Sequence, residues 1–190
     1  MTALLLSPPL SLLRLAVPML LSVLLMLAGC SPRLNWRLVQ GADAPFEVLL
    51  PAKPATLSRA IDLDGIPVTM SMTAAEVDGV TFAVGAVVLA DPALAPRALQ
   101  AMKLALVRNI NGSIQSEQAS AAAQAAGADS SVDIAATGSI GRSNQPARLL
   151  ARFAARERRV YQAVMVGPSS AMDAIGADAA DTFFTSFKLH

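Results

Sequence analysis

The stretch Ile66-Pro67-Val68-Thr69-Met70-Ser71-Met72-Thr73, followed by Asp78-Gly79 and then Val80-Thr81-Phe82-Ala83-Val84-Gly85-Ala86-Val87-Val88-Leu89, decides the fold. In its first part, apolar Ile66, Val68, Met70 and Met72 alternate with polar or small residues, the period of a strand with one buried face. Asp78-Gly79 is a hairpin turn signal, because both positions of a tight primed turn need positive φ. Residues 80–89 are apolar on both faces, which suits a central strand covered on both sides. Upstream, Asp64-Gly65 marks another hairpin, and residues 56–63 form its first arm. Phe46 to Leu50 is a further strand, stopped by Pro51 and Pro54. These segments predict a four-stranded meander.

Beyond Asp91-Pro92 the period changes. Residues 95–111 predict a helix, with Pro96 in its first turn, a stripe of Leu99, Met102, Leu106 and Ile110, and Asn111-Gly112 as the stop. Lys103 and Arg108 fall off that stripe and are expected to face solvent. The alanine-rich residues 119–128 suit either a short helix or a small-residue loop. Residues 131–140 predict a strand. The stretch 147–166 suits a helix by its arginine spacing, but its β-branched and aromatic residues from Val160 to Val166 favour a hairpin turning at Glu157-Arg158. The last element, about 177–188, predicts a helix capped by Asp178, with Phe183, Phe184 and Phe187 as its apolar stripe. The fold class is α+β: an antiparallel sheet of about six to seven strands with two packing helices.

The N-terminus has a different character. Leu15 to Gly29 is apolar apart from Ser22, and Arg14 is the only charge before it. Fifteen residues suit a secretion signal core, whereas a spanning helix needs about 20. The run closes on Leu27, Ala28, Gly29 and Cys30, the only cysteine in the chain. These residues resemble the lipobox of a bacterial lipoprotein precursor. The alternative is an uncleaved membrane helix running on to Pro32.

The lipoprotein resemblance implies cleavage before Cys30, which becomes the acylated N-terminus, with Leu27, Ala28 and Gly29 read by the signal peptidase. It implies attachment to the membrane through lipid on Cys30. Ser31, in place of Asp, favours the outer membrane in a Gram-negative envelope. The expected division is a signal peptide over 1–29, a lipidated N-terminus and tether over 30–45, and one α+β domain over 46–190. Trp36, the single tryptophan, either meets the membrane interface or packs on the core.

A second resemblance rests on Phe46 to Pro51, Gly79 to Leu89, Tyr161 to Gly167 and the ending Phe183-Phe184-Thr185-Ser186-Phe187-Lys188-Leu189. Together they resemble the PsbP-like α/β sandwich over about 45–189. They are packing motifs, so the resemblance implies a fold. That family's functions in oxygen evolution and small-GTPase binding depend on partner surfaces not matched in these residues.

The chain has 15 Lys and Arg against 14 Asp and Glu. Removal of Arg14 with the leader leaves the remaining 161 residues near neutrality, which argues against nucleic-acid binding. His190 is the only histidine and the last residue, so no Ser-His-Asp triad or HExxH motif is present. Gly138 to Arg142 lacks the lysine-serine ending of a phosphate loop and reads as turn glycines. Asp62/Asp64 and Glu76/Asp78 flank hairpin turns, where Asp stabilises the turn itself.

Arg148, Arg152, Arg156, Arg158 and Arg159 form the one concentrated charge feature. On a strand, Arg152 and Arg156 share a face, expected to point to solvent. That face is either simply solvated or contacts anionic lipid headgroups or another envelope component. The functional expectation is a membrane-anchored envelope lipoprotein with a non-catalytic binding or accessory domain, without cofactor or metal. The alternative is a carrier of a small apolar ligand or lipid in the periplasm.

Overall fold

A computed structural model describes residues 33–42, 44–125 and 127–190. Leu34–His190 forms a compact unit. Its main layer is a seven-stranded antiparallel sheet of β3 (Ala55–Asp62), β4 (Pro67–Val77), β5 (Val80–Val88), β6 (Ser113–Ala119), β7 (Ser130–Ile140), β8 (Gln145–Arg156) and β9 (Arg159–Pro168), in the order β3-β4-β5-β9-β8-β7-β6. A smaller sheet joins β1 (Arg37–Gln40), β2 (Phe46–Leu50) and β10 (Lys188–Leu189) in the order β1-β2-β10. The helices are α1 (Ala95–Asn109), α2 (Ala121–Ala125), α3 (Ser169–Ile175) and α4 (Ala177–Ser186).

Two buried clusters lie on opposite faces of the large sheet. One packs Met102 and Val107 of α1 against Leu149, Phe153 and Val164. The other packs Phe46, Val48 and Leu50 of the small sheet, with Phe183 of α4, against Phe82, Tyr161 and Met165. β5 and β9 lie where both layers cover them, which is why their sequences are apolar on both faces. The α+β, antiparallel architecture expected from the strand periods is therefore present.

All seven expected strands form, and so do the turns that join them. Asp64, Gly65, Asp78, Gly79 and Glu157 have positive φ, and Arg156 opposite Arg159 closes the β8–β9 hairpin. The expected four-strand meander is only three strands long. β2 leaves it for the small sheet, because Pro51 and Pro54 interrupt the chain before β3.

The large sheet has seven strands, within the six to seven expected; the described residues add a three-stranded sheet and two further α-helices. β6 is polar and exposed and carries a bulge between Ile114 and Ser116, so it has no clean alternation to read. Residues 34–42, expected to belong to a tether over 30–45, are part of the compact unit. β1 pairs with β2, and Leu34, Trp36 and Val39 pack on the core. Trp36 meets Phe82 edge-on at 6.3 Å.

The two expected helices need smaller corrections. In α1, Ala95, Ala98, Met102, Lys103 and Val107 are buried, so the stripe is rotated from the expected one. Lys103, expected in solvent, is 7% exposed and its Nζ lies 2.6 Å from Glu117 Oε1 on β6. The ion pair ties the helix to an otherwise exposed edge strand. Because Glu117 is the wetter partner, losing it strands a buried ammonium, whereas losing the lysine leaves a carboxylate that water can reach. Glu117→Gln is therefore expected to cost about 1–3 kcal/mol and Lys103→Met less, as read by denaturant melts.

α4 ends at Ser186, after which Phe187 is extended and leads into β10. Its N-cap is Gly176; Asp178 sits in the first turn and supplies no cap, a correction to the sequence reading. Phe183 and Phe187 are buried as expected, while Phe184 is half-buried.

Candidate functional site

The arginines of β8 define the first candidate region. Arg148, Arg152 and Arg156 do share a face, as their spacing requires. That face is not open to solvent, because the C-terminal segment packs across it. Arg152 grips Asp133 of β7 through two bonds, Nε to Oδ1 at 2.8 Å and Nη2 to Oδ2 at 2.9 Å. Its Nη1 donates to the Phe184 carbonyl at 2.8 Å, and its guanidinium lies 5.7 Å from the Phe184 ring centre. The Arg152 side chain is only 11% exposed.

Arg148 donates to the Ser169 carbonyl at 3.2 Å and to the Asp173 carboxylate, while its buried Nε has no partner. Arg156 donates to the Leu189 carbonyl at 3.4 Å. The three side chains thus fasten α3, α4 and β10 to the sheet. This corrects the expectation of a solvent-facing cluster. Sequence spacing shows which residues share a face but not what covers it. Arg159 is half-buried and near Glu157, at 3.6 Å, and Arg158 is exposed at the turn.

Two adjoining cavities flank this clamp and share Leu150, Ala180 and Asp181. One, of about 330 Å³, reaches Arg152, Asp133, Ser116 and Gln118. The other, of about 350 Å³, reaches Arg148, Met172 and Asp173. Arg152 with Asp133 and Arg148 with Asp173 are already paired as described, which leaves Asp181, shared by both cavities, as the carboxylate without a described side-chain partner there.

The second candidate region is an open trough of about 670 Å³ at β3, β4 and β5. Ala60, Ile61, Pro67, Val68, Ala86, Val88 and Leu89 line it, with Ala44 and Ala90 from adjacent loops. Thr69 and Ser71 add hydroxyls, and none of its lining residues is ionisable. Acid–base chemistry needs a titratable side chain within reach of the reacting atoms, so this surface suits binding of apolar or neutral matter. Its lining is mostly alanine and β-branched residues scattered over 44–90, which sequence reading treats as ordinary packing.

The remaining sequence candidates do not converge. Asp62 Oδ1 accepts from Gly65 N at 2.6 Å, and Asp64 pairs with Arg97, Nε to Oδ2 at 3.2 Å. Both therefore serve the turn and its link to α1. His190 lies 3.7 Å from Glu47 and is half exposed. Gly138 has no room for a side chain, since a Cβ there would collide with the Ile110 carbonyl. Among the described residues, no group of three or more His, Cys, Asp or Glu could hold a metal. Tyr161 is fully buried and donates to the Pro45 carbonyl at 3.3 Å. Burial pushes its phenol up, opposed by Arg159 and Arg156.

Cys30, Leu27, Ala28, Gly29 and Ser31 lie outside the described residues. No helix among the described residues is long and apolar enough to cross a membrane. No protein-family model and no curated protein matches the chain.

Proposed function

We propose that this protein is a lipid-anchored envelope lipoprotein whose domain binds rather than catalyses, on a scaffold of PsbP-like type. The observation that carries the anchor is the lone cysteine at the close of a 15-residue apolar run, directly after Leu27, Ala28 and Gly29. Acylation of Cys30 follows from that motif, with Ser31 directing the protein to the periplasmic face of the outer membrane in a Gram-negative cell. Several acyl chains are needed for durable attachment, since each buried methylene contributes about 0.8 kcal/mol. In this family thiol acylation precedes cleavage. Cys30→Ser should therefore leave an unprocessed precursor on a gel of envelope fractions. Normal processing of that variant would refute the anchor.

The trough supports binding of an apolar or neutral ligand, the carrier reading of the same domain. Its volume lies in the range of small-molecule sites, about 300–1,000 Å³. Val88 lines it and is 41% exposed, so a charge there can enter without breaking the core. Val88→Arg should abolish binding of an environment-sensitive apolar dye and shift stability by no more than about 0.5 kcal/mol. Equal dye binding by both proteins would remove the trough from the account.

A further inference from the structure

The unit that holds the sheets begins at Leu34, four positions after Cys30. Four residues span at most about 14 Å even when fully extended. Asn35 N already bonds the Pro51 carbonyl at 2.8 Å, and β1 begins at Arg37. A protein acylated at Cys30 therefore has almost no leash, and β1 starts only seven positions after the acylated residue. This strand is one of the two edges of the small sheet, β10 being the other.

The side chains there suit a bilayer surface. Leu38 is 61% exposed, one of the few large apolar residues so exposed. It sits opposite Leu49 of β2, which extends the apolar surface. Arg37 lies on the other face of β1, opposite Leu50, but is also exposed and can reach a phosphate headgroup when the strand lies edge-on. Trp36 packs on Phe82 but is only half-buried, so part of its ring remains accessible to a headgroup layer. No acidic residue occurs from Leu34 to Gln40, and the carboxylate across the strand, Glu47, accepts a bond from Gln40 Nε2 at 2.7 Å.

We infer that the β1 edge, through Leu38, Arg37 and the free side of Trp36, rests on the lipid bilayer as a second contact beside the acyl chains. The occupant is the anchoring membrane itself. This inference rests on the lipid-anchor reading and adds an orientation to it: the domain lies against the headgroups on its small-sheet edge. The short leash keeps the local lipid concentration high, so a weak surface contact is enough.

Trp36 is the only tryptophan, so its emission reports this one place. Purified full-length protein, its acylation established by intact mass, is reconstituted into anionic phospholipid vesicles with and without bromine near the headgroup end of the acyl chains. The expected result is a clear loss of Trp36 emission in the brominated vesicles. Leu38→Glu should restore most of that emission, with the melting temperature unchanged because Leu38 is exposed. If the protein carries lipid and bromine does not quench Trp36, the domain stands off the membrane and the inference fails while the anchor survives. Quenching undiminished in Leu38→Glu would overturn the assigned face. Protein without lipid mass would take down the anchor and the inference together.

Discussion

Phe183→Ala is expected to destabilise the domain by about 3–5 kcal/mol, the range for a fully buried aromatic. Phe183 has no exposed surface and stands at the meeting point of the layers. Its ring meets Phe82 of β5 edge-on at 5.4 Å and Phe184 at 4.9 Å. Truncation opens a cavity between α4 and the sheet that neither can collapse to fill, since Phe82 is fixed by pairing on both sides. At about 2–4 °C per kcal/mol for a domain of this size, the melting temperature should fall by about 10 °C. Phe184→Ala removes a half-exposed ring and should cost far less. Equal, small shifts for both variants would show that α4 is not docked as described.

Arg152→Met should cost about 2–3 kcal/mol, for a different reason. Removing the arginine leaves the Asp133 carboxylate partly buried without its bidentate partner and the Phe184 carbonyl without its donor. Breaking a fully buried pair costs about 3–5 kcal/mol, and the 27% exposure of Asp133 reduces that by letting water in. Replacing both partners with apolar residues, Arg152→Met with Asp133→Leu, should recover much of the loss, because no stranded charge remains. Hydrogen exchange should show α4 loosening first in the single variant, since Arg152 holds that helix by its carbonyl. A single variant as stable as wild type would mean that the ion pair contributes nothing net and that the helix is held by its apolar packing, Phe183 and Ala179 above all.

The strands were legible because one physical rule, burial of alternate residues, acts on them directly. Ile66 to Leu89 carries that period and two turns whose Asp and Gly accept positive φ. The hairpin from 147 to 166 was legible for the same reason, even against a helical spacing of arginines. Edges were not legible. β6 buries little and is bulged, and β1 and β10 are short strands paired only with β2. The arginine face shows the deeper limit. Residue spacing places Arg148, Arg152 and Arg156 together, yet only the return of α3, α4 and β10 across β8 turns a polar face into a clamp. Lys103 is the same lesson on a helix. Its burial depends on Glu117, which lies 14 residues away on a strand the sequence does not announce. The trough lay beyond sequence reading altogether, because its lining residues are scattered over 44–90 and look like ordinary strand packing.

The most direct test is the intact mass of the protein extracted from cell envelopes. The predicted polypeptide begins at Cys30, lacking residues 1–29 and carrying the added mass of a diacylglyceryl group with or without an N-acyl chain. A polypeptide that retains residues 1–29, or one with an unmodified Cys30 thiol, would contradict the lipid anchor and the membrane-bound placement of the domain.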